Sequence, residues 1–359
     1  MSPRTVQGAR WSCQGTGFCC RFHQLGPVSA AEVQAIASTR PEAWWPAAAE
    51  GWLLSRSGPG GLVHELRKVD GHCVFLSEDN RCAVHARFGA QAKPGFCQLY
   101  PYQVVEDAQG VAVIVRDSCA GRLAEAERAA PMEEQAEEAL ALARAHEGVL
   151  RWSPEAVSIL PGRAEPWALW MEVEAELLQA LQTSTDGAGS VIPALRERLA
   201  ARLGLDLPPP DPARARLAGR AVLLALDMTL SRARQQEQAP SPEEAEFAAE
   251  LHQRVRLAAA AMEAGVALDG PEGWERYARL CLAEGLLGKD LHRLDGLFAG
   301  LGLALITLHI AHASAQPGTP AALARVHARV ARFTQNRSIR EVLRAAAPAL
   351  RDLALHAPV

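Results

Sequence analysis

The opening residues, MSPRTVQGARWSCQGTGFCC, lack the apolar stretch of a signal peptide. Long hydrophobic runs are scarce as well. The longest, 296–308, has about 13 residues, where a membrane span needs about 20. A buried helix, no membrane partner and a cytoplasmic, reducing location are expected. Charge of one sign is not in excess: the net charge is −4, which gives no reason to expect a nucleic-acid partner. No tandem repeat of fixed period is present. No GxGxG follows a predicted strand, and residues 121–359 show no βαβ pattern, so an ordinary methyltransferase fold is not expected. Cysteine is almost missing from those 239 residues, which hold Cys281 alone.

What is present is a globular balance, 49% apolar and 22% charged, over 359 residues. That length suggests two domains. Seven of the eight cysteines fall within the first 119 residues. In a reducing compartment, clustered cysteines are more often metal ligands or catalytic thiols than disulfides.

The expected fold class is α+β, with a small cysteine-rich metal-binding domain of short strands at 1–120 and a mostly all-α domain at 121–359. In the first, 28–38 reads as a helix that Ser29 and Glu32 close with a capping box. The stretch 62–69 reads as a strand ending at the Asp70-Gly71 turn, and 73–76 as a second strand. Val104-Val105 and 111–115 read as a hairpin across EDAQG. The domain has few large apolar residues, so a metal centre would add the stability its core lacks. In the second, helices are predicted at 131–144, 166–182, 191–203, 212–228, 243–262, 273–287, 291–313, 320–335 and 339–355. Several start at a proline, whose missing N–H suits a first turn. Residues 186–189, 207–212 and 238–244 read as loops.

The candidate metal ligands are Cys13, Cys19, Cys20, Cys73, Cys82, Cys97 and Cys119. Glycines 15 and 17 let the backbone fold tightly around a small object. Cys73 and Cys82 flank a polar turn, so two strand ends could present both thiols on one side. Thiolates favour zinc, iron or iron–sulfur centres. One tetrahedral zinc takes four ligands, so a four-iron cluster, a polynuclear zinc or iron site, or two centres all stay open. His23, His72 and His85 could add imidazoles. Arg81, His85, Arg87, Lys93 and Arg116 could offset thiolate charge or bind an anionic substrate. Tyr100 and Tyr102 could pack over the centre. Cys281, in ARLCLAEGLL, reads as a core residue.

At these motifs the sequence resembles the YkgJ-like cysteine-cluster family, described as zinc- or iron-chelating, and the related flagellin lysine N-methylases. The family's CxxCGxCC is matched by Cys13-Gln-Gly-Thr16-Gly17-Phe-Cys19-Cys20, with Thr16 in place of its second cysteine. Its middle motif is matched by Cys73-Val-Phe75-Leu76 and Cys82-Ala-Val-His85. Its C-x-x-[FY]-P is matched by Cys97-Gln-Leu-Tyr100-Pro101, and its last cysteine by Cys119. Trp274–Leu287 and 326–339 resemble segments of the methylases. The resemblance implies an iron–sulfur cluster or zinc or iron ions. It also implies S-adenosylmethionine-dependent methylation of a lysine in a protein or peptide substrate, although the CxxxCxxC of radical enzymes is lacking. Such a lysine must be deprotonated, and Glu106, Asp107 and Asp117 are candidate helpers. The alternative is a non-catalytic zinc- or iron-chelating, sensing or structural protein. A redox enzyme acting on a small molecule or peptide is a third reading.

Overall fold

The structure is a computed structural model that describes residues 2–58, 61–119, 121–122, 129–183, 188–235, 242–264, 274–314 and 320–357. The N-terminal part runs β1 (Arg10–Trp11), α1 (Phe18–Phe22), α2 (Ala30–Ser38) and α3 (Pro41–Trp44). Two hairpins follow, β2 (Leu53–Gly58) with β3 (Gly61–Leu66), and β4 (Lys68–Val69) with β5 (His72–Cys73). Next come α4 (Ala83–Phe88), α5 (Gly95–Leu99), and the hairpin of β6 (Tyr102–Asp107) and β7 (Gly110–Val115). The capping box of α2 is present: Ser29 Oγ accepts from Glu32 N, and the Glu32 carboxylate accepts from Ser29 N. Strand 73–76 is shorter than expected, because the chain turns after Cys73 and Leu76 N bonds back to Cys73 O at 2.8 Å.

Beyond residue 121 the chain first makes more strands. β8 (Ala130–Pro131) pairs with β1, and α6 (Met132–Ala145) leads into β9 (Val149–Arg151). β9 lies parallel to β6, completing a sheet of order β7-β6-β9. Parallel pairing needs a crossover, and α6 lies within it. β10 (Ala156–Leu160) and β11 (Arg163–Pro166) form a hairpin whose Val157 and Ile159 alternate inward. This alternation was the missed strand signal in a stretch assigned no strand from the sequence.

The remainder is helical: α7 (Trp167–Thr183), α8 (Ala188–Leu203), α9 (Pro212–Gln235), α10 (Pro242–Glu263), α11 (Trp274–Leu287), α12 (Leu297–Ser314), α13 (Pro320–Thr334), α14 (Arg337–Ala345) and α15 (Ala347–His356). The expected helix at 291–313 starts late, because Gly296 at φ 94° cannot continue a right-handed helix. The expected helix at 339–355 is two helices. Pro348 opens α15, where it lacks the N–H that a continuous helix would need. Of the expected loops, 186–187 and 238–241 lie outside the described residues.

One hydrophobic core collects residues from Val6 to Ala357, including the β6–β7 hairpin and α12. A second gathers Phe75, Leu66, Val74 and Ile36 under Trp44, Trp45 and Trp52. The apolar run at 296–308 lies in α12 and is central rather than spanning. Among the described residues no helix is long and apolar enough to cross a membrane. α12 packs closely on its neighbours. A Cβ on Gly302 would overlap the Leu350 carbonyl of α15, and one on Gly300 would overlap that of Leu291. Backbone cannot swing aside as a side chain can. Gly302→Ala is therefore expected to lose about 1–3 kcal/mol through overpacking, outweighing the better helix propensity of alanine. A lower urea midpoint checks this, and a raised one would show that α12 and α15 separate at no cost.

The expected fold class needs correction. The chain is α+β and mostly helical, but the expected metal-binding domain is not built. Among the described residues no group of three or more His, Cys, Asp or Glu is placed to hold a metal ion. The seven thiols do not share one environment: Cys119 belongs to the first core, Cys73 to the second with Cys20 and Cys82 packed against it, and Cys13 is exposed.

Candidate functional site

Helix α1 carries two of the cysteines and is tied on several sides. Gly17 precedes it at φ 65°, and a Cβ there would also press on the Asn80 side chain. Arg21 donates to Asn80 Oδ1 at 2.8 Å. Lys68 Nζ donates to the Arg21 carbonyl at 2.6 Å, and Arg332 Nε to that of Phe22 at 2.7 Å. Helical spacing puts Phe18, Arg21 and Phe22 along one face and directs Cys19 and Cys20 elsewhere. Cys20 packs against the second core.

The two sulfurs are in contact, with Sγ atoms 3.9 Å apart. The contact divides their acidities. Cys19 is lowered to about 7, chiefly because the Cys20 thiol hydrogen-bonds to it; burial opposes this, and Lys93 assists. Cys20 is raised by the same contact and by burial. The other buried thiols stay protonated. Burial pushes Cys73 up to about 12 against the pull of the Phe75 N–H. Cys97 is raised by burial and by Cys73. Cys119 is raised by burial, although its sulfur accepts from Trp11 Nε1 at 3.3 Å and Gly121 N at 3.4 Å. Cys82 is half-buried at the start of α4.

His23 is half-buried, its ring edge-on to Tyr100 at 4.6 Å. Burial depresses its pKa to about 3, with Arg332, Arg116 and Lys68 adding to the effect. His85 is exposed, and Arg87 stacks over Trp44 at 5.3 Å. Arg81 pairs with Asp79 at 3.3 Å on the surface. Tyr100 donates to the Ser118 carbonyl and Tyr102 to Gln135, both at 2.9 Å. Cys281 is half-buried beside Tyr277 and accepts from Arg122 at 3.2 Å.

No family model, no curated protein and no solved structure matches the chain. The resemblance to the YkgJ-like family and the flagellin lysine N-methylases is thus overturned: no family model carries it, and the thiols form no metal-holding group among the described residues. The iron–sulfur, four-iron, zinc and iron assignments are corrected with it, because among the described residues no group of three or more His, Cys, Asp or Glu is placed to hold a metal ion. The S-adenosylmethionine and methyltransferase assignments have no matching motif. The alternative of a zinc- or iron-chelating protein is corrected on the same geometry.

The carboxylates expected to help a lysine are engaged separately. Glu106 faces Arg151 at 3.4 Å, Asp117 accepts from Gln335 at 3.4 Å, and Asp107 is buried under Lys289 and Arg4. Sequence reasoning missed two buried ionic groups, Lys289 with Asp107 and Glu174, and Arg122 with Glu284.

Proposed function

We propose that the chain is a thiol–disulfide exchange protein with Cys19 as its reactive group. The observation that carries this reading is the 3.9 Å contact between the Cys19 and Cys20 sulfurs. With Cys20 as the donor of this contact the Cys19 thiolate is favoured, and the charge of Lys93 adds to this. The thiolate is the nucleophile, and the best attacking thiol has a pKa near the ambient pH.

The Cys19 thiolate attacks one sulfur of a peptide or protein disulfide. A mixed disulfide forms, and the other half leaves as a thiolate. A low-molecular-weight thiolate then attacks the mixed disulfide, releases Cys19 as a thiolate and carries the bound half away as a disulfide. Cys20 is a poor resolving thiol. Consecutive Cα atoms lie about 3.8 Å apart, short of the roughly 4.4–6.8 Å that a disulfide spans. The helix therefore keeps the pair reduced. A cytoplasmic, reducing location suits eight free cysteines.

Iodoacetamide labelling, mapped by mass spectrometry across pH, tests the thiol. Cys19 is expected to label with a midpoint near 7, and Cys20→Ala to move that midpoint toward the free-thiol value of about 8.5. Cys19→Ser is expected to abolish exchange with a peptide disulfide. A wild-type midpoint at or above the free-thiol value, or unchanged exchange in Cys19→Ser, would overturn the reading.

A further inference from the structure

Helix α9 has two apolar sides. One is buried, where Val222, Leu223 and Leu226 join the first core. The other faces outward. Of the seven large apolar side chains most exposed among the described residues, three stand in line on α9: Leu217 at 69%, Leu224 at 59% and Met228 at 47%. A fourth, Leu257 at 45%, is on α10 beside Arg256, which reaches Asp227 of α9 at 4.0 Å. A single exposed leucine is ordinary, whereas a contiguous apolar patch marks a contact surface.

The pattern along α9 is specific. With Ala221, which is also exposed, the outward residues follow at intervals of four, three and four. Those are the intervals between the core positions of a coiled coil, with Leu217 and Leu224 at d and Ala221 and Met228 at a. The g positions are then Arg220 and Asp227, one charge of each sign. Arg220 pairs with Glu263 at 3.3 Å and Asp227 with His252 at 2.8 Å, and both stay accessible to solvent.

We propose that this face binds a second copy of the chain, with the two α9 helices antiparallel. Leu217 then faces the partner's Met228, and Ala221 faces the partner's Leu224, so small meets large. In an antiparallel pair the two g flanks face each other. Arg220 stands beside the partner's Asp227, and two-fold symmetry makes that contact twice. A parallel pair would set g against e, and the e positions are Ala218 and Ala225, which offer no charge. The seam from 217 to 228 is about 16 Å long. That is short, and it places the dimer among weak interfaces of less than about 1,200 Å². The proposal does not rest on the chemistry of Cys19.

Sedimentation equilibrium of the full chain is the test. The wild type is expected to dimerise with a dissociation constant on the order of 10–100 µM. Leu224→Glu sets two carboxylates near the two-fold axis and is expected to weaken the dimer at least about tenfold. Its melting at about 1 µM, where the chain is monomeric, is expected to match the wild type, since the residue is exposed. Arg220→Asp and Asp227→Arg each place like charges face to face, and each alone is expected to be monomeric at about 100 µM. Mixed together they are expected to dimerise as the wild type does, because every facing pair is then of opposite sign. A mixture that stays monomeric would overturn the antiparallel register. A dimer that persists in Leu224→Glu would place the contact on another face. A wild-type monomer at about 500 µM would mean that the patch serves a different protein or a lipid surface.

Discussion

Lys289→Met is expected to lose about 3–5 kcal/mol of stability, the usual cost of removing one partner from a buried ion pair. The Lys289 side chain is 1% exposed. Its Nζ stands 3.0 Å from Asp107 Oδ2 and 2.5 Å from Glu174 Oε1, and 5.3 Å from the centre of the Trp167 ring. Arg4 holds the other oxygen of Asp107 at 2.6 Å. Burial pushes Asp107 upward, yet Lys289 and Arg4 hold it below the usual carboxylate range, whereas burial prevails at Glu174 and raises it. Methionine fills similar space without charge, so two buried carboxylates would lose the cation between them. The group joins the N-terminus, the β6–β7 turn, α7 and the segment after α11, and its loss would reach all four. Urea unfolding at pH 7 measures the effect. A loss below about 1 kcal/mol, the range of exposed pairs, would show that water already screens this group.

Arg122→Met is expected to cost a similar amount, with a strong pH dependence. Arg122 and Glu284 pair at 2% side-chain exposure each. Arg122 also donates to the Val115 carbonyl and, at 3.2 Å, to Cys281, while Glu284 accepts from Val115 N at 3.1 Å. Burial pushes Glu284 up to about 7 even against the pull of Arg122. Between the ordinary carboxylate value and 7, the folded chain therefore holds a proton that the unfolded chain has lost. Where the folded state binds more protons, stability falls as pH rises. Without Arg122 the carboxyl rises further and this window extends upward. The variant is expected to be weakened by about 3–5 kcal/mol at pH 8 and clearly less at pH 5, where a neutral Glu284 needs no cation. Urea midpoints at the two pH values decide it, and an equal loss at both would mean that Glu284 keeps its charge.

Local elements were legible in the sequence where one short-range rule decides them. The Ser29–Glu32 capping box and the β6–β7 hairpin formed as read. Helices opening at a proline were also readable, as with α9 and α13. The strands at 149–166 were less so, because a short strand such as β9 exists through its partner β6. The buried charges left a trace that was not used. Glu174 sits at helical spacing with Trp170, Val173, Leu177 and Leu181, all buried, so a charge on a core stripe called for a partner. Its partner, 115 residues away, could not be read from the sequence. The cysteine skew was real but misleading as a sign of metal. Spacing along the chain did not show that Cys119 and Cys73 enter different cores. The Cys19–Cys20 pair was visible, but its unequal acidity depends on Lys93 and on burial contributed by distant segments.

The placement of α15 bears on how the chain reaches this fold. Leu350, Leu353, Ala354, Leu355 and Ala357 join the same core as Val6 and Ala9. That core cannot close on a ribosome until residue 357 has emerged, so α12 waits with its apolar surface uncovered. Contacts of such long sequence separation slow folding, because the chain entropy is lost before the contact is gained. Until then α9 and α12 are the surfaces on which a chaperone would act.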